Sequence, residues 1–133
     1  NGALLVSHDY KVLRKGQIQN IKIQNANFFK KKNLLTLLYK SSIAGCTMSF
    51  NRKCLKYFMP IPKMIIFDWW ISTNLYLSLP KSKIIHVKKA LIKYRVHNNN
   101  QINNIKRSNN SLMRKLYLRI NIVTELLKRK FIK

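Results

Sequence analysis

The sequence predicts an α/β fold, and three observations carry that prediction. Short apolar and β-branched runs recur along the chain, at Ala3-Leu4-Leu5-Val6, Thr47 to Phe50, Lys83 to Val87 and Ala90 to Val96. Longer runs with helical character alternate with them or follow them, Asp68 to Leu79 and Leu112 to Phe131. Apolar residues make up 47% of the 133, too many for a disordered basic tail and enough for one domain with a buried core.

Ala3 to Val6 reads as a buried strand ending at the polar Ser7-His8-Asp9. Arg14-Lys15-Gly16 reads as a turn, and Gln17 to Ile23 alternates apolar and polar as an edge strand does. Lys30-Lys31-Lys32 is a solvated run before a short helix, Asn33 to Tyr39, capped by Asn33. Ser41 to Cys46 is small and loop-like, Thr47 to Phe50 is a strand, and Asn51 can cap a helix running through Phe58. Pro60 and Pro62 forbid helix and force an extended connector. The helix from Asp68 stops at Pro80, and Lys83 to Val87 and Ala90 to Val96 follow as two short strands. Asn98 to Asn110 is a polar, Asn-rich loop. In the last helix Leu112, Leu116, Ile120, Val123 and Leu127 recur at helical spacing, which makes them the expected buried stripe.

Twenty-seven Lys and Arg stand against three Asp and Glu, a formal charge of +24. Such a charge favours anionic partners: nucleic acid, acidic lipid or phosphorylated substrates. The joint abundance of Lys, Asn and Ile offers a second cause, since all three have A/T-rich codons and a biased genome raises the charge without a binding role. Cys46 and Cys54 form no C-x-x-C pair and cannot by themselves build a metal cluster, so a reducing compartment is expected. No stretch reaches the roughly 18 uncharged apolar residues of a membrane span, and no signal-peptide layout is present. The chain opens on Asn1, directly inside an apolar strand, which reads as a chain cut from something longer.

Asp68 is the residue to explain. It lies in Phe67-Asp68-Trp69-Trp70, where an apolar run opens a helix. It is either a helix N-cap, accepting from amides two or three residues on, or a general base whose pKa the flanking rings raise by desolvation. Trp69 and Trp70 point in different directions on a helix, so one is expected in the core while the other could offer a flat face to a sugar ring or a base. Arg95 and His97 share a face of a strand-like run; Arg95 can grip a phosphate and His97 can ligate a divalent metal, or both are solvated surface groups. Tyr94, Asn98 and Asn100 add hydrogen-bonding capacity, and Gly45-Cys46-Thr47 could let a substrate approach the backbone closely. His8 and His86 show no evident partners. No phosphate-binding glycine loop, dinucleotide fingerprint or zinc-protease motif occurs.

Four segments in order resemble the C-terminal half of family 2 glycosyltransferases, above all the bacterial rhamnosyltransferase-like group that builds surface polysaccharides. They are Gly45-Cys46-Thr47-Met48-Ser49-Phe50-Asn51-Arg52, Pro60-Ile61-Pro62, Asp68-Trp69-Trp70 and Tyr94-Arg95-Val96-His97-Asn98-Asn99-Asn100. The likeness runs from about Ala3 to about Gln101. It implies a partial GT-A-like mixed sheet with flanking helices, residues 1–110 as the acceptor-side part of a catalytic domain, and 111–133 as a C-terminal basic helix. The N-terminal nucleotide-binding half, with its Asp-x-Asp metal site, has no counterpart in these residues. The resemblance implies inverting transfer from a nucleotide-sugar donor to a glycan or lipid-linked acceptor. Asp68 would be the base, Gly45, Cys46 and Thr47 would line the acceptor side, and Trp69, Trp70, Tyr94, Arg95 and Asn100 would contact substrate. Arg95 and His97 would lie near the leaving diphosphate, with His97 touching its metal, and Asp9 resembles the family's strand-end acid. A divalent metal, Mg or Mn, is expected for a complete enzyme and not from this chain alone. The family's His before the Asp is Phe67 here. The implied setting is cytoplasmic, with peripheral contact at an anionic inner membrane face. Two other readings compete: a basic nucleic-acid-binding module without catalysis, and a non-catalytic membrane-surface protein using the last helix.

Overall fold

A computed structural model of the chain describes residues 2–22, 43–97 and 112–131. The expected helix at Asn33 to Tyr39, the basic run Lys30 to Lys32 and the Asn-rich loop lie outside the described residues, as does Ile23. Among the described residues the architecture is mixed α/β: a four-stranded mixed sheet and three α-helices. In chain order these are β1 (Leu5–Arg14), β2 (Gln17–Lys22), β3 (Met48–Phe50), α1 (Leu55–Phe58), α2 (Phe67–Ser78), β4 (Ile84–Val96) and α3 (Leu112–Phe131).

β1 is the strand around which the sheet is built. One of its edges is lined over its full length by β4, in parallel, from Leu5 opposite Ile84 to Arg14 opposite Val96. The other edge is shared by two antiparallel strands, β3 opposite Leu5 to Ser7 and β2 opposite Tyr10 to Arg14. The β1–β2 hairpin turns at Lys15 and Gly16, both at positive φ (48° and 77°), the geometry a two-residue hairpin turn requires. The expected end of the first strand at Ser7-His8-Asp9 is therefore corrected, since β1 runs on to Arg14. Its inward polar residues are satisfied instead of exposed. His86, directly opposite Ser7 on β4, meets Ser7 Oγ with Nδ1 at 3.0 Å and Asp9 Oδ1 with Nε2 at 3.1 Å. The partners that the sequence did not reveal for His86 are thus Ser7 and Asp9, and His8 Nδ1 lies 2.7 Å from the Asp9 carbonyl oxygen. The two expected strands at 83–87 and 90–96 are one, β4, with its register slipping where Lys88, Lys89 and Leu91 are left over.

The core forms where α2 packs beneath this sheet. Ala3, Leu5, Ile43, Cys54, Phe58, Trp69, Trp70, Ile71, Leu75, Leu79 and Ile122 make one buried cluster. Asn51 is the N-cap residue of the 3-10 turn Arg52–Cys54 that leads into α1, but its side chain makes no capping hydrogen bond there. Its side chain bridges to the start of β1, accepting from the Leu4 amide at 3.2 Å and donating to the Gly2 carbonyl at 2.8 Å. The predicted stripe of α3 is also corrected. Leu116, Ile120 and Leu127 are exposed, whereas Ile122 is fully buried, with Leu118, Val123 and Leu126 packed around it. Two apolar faces exist on this helix, and hydrophobic spacing alone cannot say which one meets the core. Among the described residues no helix is long and apolar enough to cross a membrane.

The two faces of α3 make opposite predictions. Ile122→Ala should lower stability by about 2–5 kcal/mol, the cost of a cavity in a packed core. Ile120→Ala, two residues away on the open face, should change it by no more than ~0.5 kcal/mol. Urea unfolding of both variants tests the assignment, and comparable losses would refute it.

Candidate active site

Asp68 lies in the first turn of α2, with Phe67 ahead of it and Ile66 as the N-cap residue. It is not the cap. Its side chain turns back to the turn of 3-10 helix at Gly45–Thr47, where Oδ2 accepts from the Gly45 amide at 3.3 Å. Oδ1 is buried and accepts no hydrogen bond. Burial raises the carboxyl pKa above its ordinary 3.8, while the amides of Gly45, Trp69 and Asp68 itself pull partly back. The result is a half-buried carboxylate with one oxygen anchored and the other unpaired.

Gly45 makes that anchor possible. A Cβ here would stand 2.9 Å from the Phe67 ring and 3.3 Å from the Asp68 Cβ, so only glycine lets the amide come this close. Cys46 is exposed beside it. Partial covering of the sulfur, and secondarily the Asp68 charge, raise the thiol pKa, so Cys46 is not an activated thiolate. Thr47 turns inward, fully buried, and donates its hydroxyl to the Ala44 carbonyl at 2.8 Å. Its side chain therefore faces the core and not a substrate, contrary to expectation.

The expectation of one outward tryptophan fails as well. Trp69 and Trp70 are both buried, and Trp70 Nε1 donates to the Phe58 carbonyl at 2.7 Å. The reason is that α2 is enclosed from Trp69 through Tyr76, so neither ring has an open face to offer a sugar.

An aromatic residue that the sequence did not single out lies within electrostatic reach of Cys46. Tyr10 of β1 meets Tyr94 of β4 edge to face, with ring centroids 5.9 Å apart. Burial, followed by the influence of Cys46 and Tyr94, raises its hydroxyl pKa. Tyr10 thus links the Gly45–Cys46 turn to Tyr94. The signal was available only through pairing, since nothing in the local sequence distinguishes Tyr10.

Arg95 and His97 are brought together as expected. With the Leu13–Gly16 hairpin turn they line an open groove of about 690 Å³, so three cations, Arg14, Lys15 and Arg95, surround one imidazole. The groove suits an anion. It does not suit a divalent metal, because these neighbours repel a dication, and among the described residues no group of three His, Cys, Asp or Glu could hold one. Asn100 lies outside the described residues. Asp9 is not at a strand end but inside β1, buried against His86. The contact chain Ser7–His86–Asp9 has the composition of a hydrolase triad. Ser7 is fully buried, however, and no substrate can reach its hydroxyl. No family model, curated protein or solved structure matches the chain.

Two measurements test the Asp68 geometry. Because burial raises its folded pKa above 3.8, the native state keeps a proton that the unfolded chain releases. The stability this group contributes is complete below the unfolded pKa and declines as pH rises through the folded value. Asp68→Asn removes that decline, so urea midpoints of variant and parent should diverge in the variant's favour as pH rises above 3.8, and parallel profiles would refute the assignment. Gly45→Ala should displace the exposed Phe67 ring and lengthen the Gly45–Asp68 bond, which shifts the Asp68 pKa further up. Carbon-13 NMR titration of the carboxyl reads the shift directly.

Proposed function

We propose that the chain is the acceptor-side part of an inverting family 2 glycosyltransferase with a GT-A-like sheet, in which Asp68 is the general base. The observation that carries the reading is a half-buried carboxylate at a helix start, anchored through Oδ2 on the Gly45 amide, whose basicity burial raises. A structural carboxylate is ordinarily satisfied by hydrogen bonds. A catalytic base instead needs an open lone pair, a fixed direction and a raised pKa. The order of the Gly45-Cys46-Thr47, Pro60-Ile61-Pro62, Asp68-Trp69-Trp70 and Tyr94-Arg95-Val96-His97 segments supports the same reading.

In the proposed reaction the Asp68 carboxylate takes the proton of an acceptor hydroxyl held near Gly45 and Cys46. The acceptor oxygen forms its bond to the anomeric carbon as the bond from that carbon to the diphosphate breaks, and the electron pair leaves with the nucleoside diphosphate. The groove of Arg14, Lys15, Arg95 and His97 begins about 10 Å along β1 from Tyr10, three residues at ~3.3 Å each. Its charge suits the departing diphosphate. The proposed setting is the cytoplasmic side of a cell membrane.

Transfer from a panel of nucleotide sugars by the intact protein tests the proposal. Asp68→Asn should lower kcat by about 10²–10⁴, the usual contribution of a general base, without loss of the folded state. Arg95→Ala should act mainly on the donor KM. Turnover by the Asn variant at the parent rate would leave Asp68 as a packing residue and end the reading.

A further inference from the structure

The helix α3 carries a second apolar face that is exposed among the described residues. Its inner face is committed: Ile122 is fully buried, and Arg129 donates to the carbonyls of Lys56 at 3.0 Å and Met59 at 2.8 Å. The guanidinium also lies over the Trp70 ring, 5.9 Å from its centroid. These contacts fix which way the helix is turned. On the opposite side Met113, Leu116, Tyr117, Ile120 and Leu127 are 75%, 52%, 50%, 54% and 51% exposed. At 3.6 residues per turn they fall within an arc of roughly 100° centred opposite Ile122. Thr124, which falls in the same arc, turns its hydroxyl back onto the Ile120 carbonyl at 2.9 Å. The stripe therefore presents no unsatisfied polar group, and it extends about 21 Å along the helix.

The charge around the stripe has one sign. The helix contains Arg114, Lys115, Arg119, Lys128, Arg129 and Lys130 against a single acid, Glu125, whose carboxylate is held by Lys128 at 2.7 Å. A long helix with an aliphatic face, a basic remainder and little overall hydrophobicity is the pattern of a segment lying in a membrane interface. We propose that the outer face of α3 docks this protein onto an anionic bilayer surface, with Met113, Leu116, Tyr117, Ile120 and Leu127 entering the acyl boundary and the flanking cations meeting lipid phosphates.

Charge complementarity selects the lipid over other occupants. A second copy would bring another +24 body and another basic helix against the first. A nucleic acid would meet aliphatic side chains at the centre of the contact, where it needs cations and stacking rings. An anionic bilayer satisfies both the apolar stripe and the cations beside it. The proposal does not depend on Asp68 or on sugar transfer.

The test is sedimentation of the whole chain with vesicles of phosphatidylcholine alone or with about one third phosphatidylglycerol, at near-physiological salt. Binding to the anionic vesicles should exceed binding to the neutral ones at least tenfold. The double variant Leu116→Ser/Ile120→Ser, altered only at exposed positions, should lose at least tenfold in binding to anionic vesicles while keeping the parent's thermal unfolding. Ile120→Trp should show blue-shifted emission and quenching by brominated lipid. Undiminished binding of the Ser variant would assign attachment to scattered charge and overturn the proposal. A dimer in the absence of vesicles that the same substitutions dissolve would also overturn it, in favour of a second copy.

Discussion

The enclosure of α2 is the constraint on which the rest of the structure depends. Eight consecutive residues, Trp69 to Tyr76, are buried, so the helix has no free side about which to turn. Three of its polar groups are accommodated internally, Ser72 donating to the Trp69 carbonyl, Asn74 to that of Trp70, and the Trp70 indole to that of Phe58, while Thr73 Oγ1 is buried without a hydrogen bond. Each large side chain buried here contributes about 1.5–3 kcal/mol, against about 1 kcal/mol for a single hydrogen bond. Packing therefore decides where Asp68 points, and the 3.3 Å contact to Gly45 follows from it. A base placed by a rigid, buried helix can leave one oxygen unpaired without being drawn to another partner.

The sheet gives the site its second wall through a comparable economy of polar groups. β1 is paired on both edges, so Ser7 and Asp9 are carried into the interior with it. His86 answers both because the parallel register sets it opposite Ser7. A buried carboxylate without such a partner would cost several kcal/mol. The same register sets Val12 and Leu13 beside Tyr94 and Arg95, with successive side chains on opposite faces. Tyr94 meets Tyr10, while Arg95 joins the hairpin cations. One strand pair thus serves an aromatic contact near Cys46 and an anion groove at its far end.

The net charge acquires meaning from this arrangement only in places. Arg129 acts inside the fold, tying α3 to α1 and covering Trp70. Arg14, Lys15 and Arg95 converge on one groove. On α3, Arg119 and Lys128 lie on either side of an aliphatic stripe. A formal charge of +24 is thus distributed among different physical tasks, which a composition cannot separate.

The sequence by itself determined several element types: the turn at Lys15-Gly16, the helix stopped before Pro80, the final helix of 20 residues, and Asp68 near a helix start as the residue to examine. These are local properties of φ, breakers and periodicity, and they need no knowledge of neighbours. Tertiary structure alone decided the rest. It ran β1 through polar Asp9 by supplying His86 from 77 residues away, and it fused two apparent strands across Lys88-Lys89. It also buried both tryptophans and Thr47, brought Tyr10 to Tyr94, and chose Ile122 over Ile120 as the inward side of α3. Each of those outcomes depends on which surface is excluded from water by a distant segment, a quantity that no local pattern of residues contains.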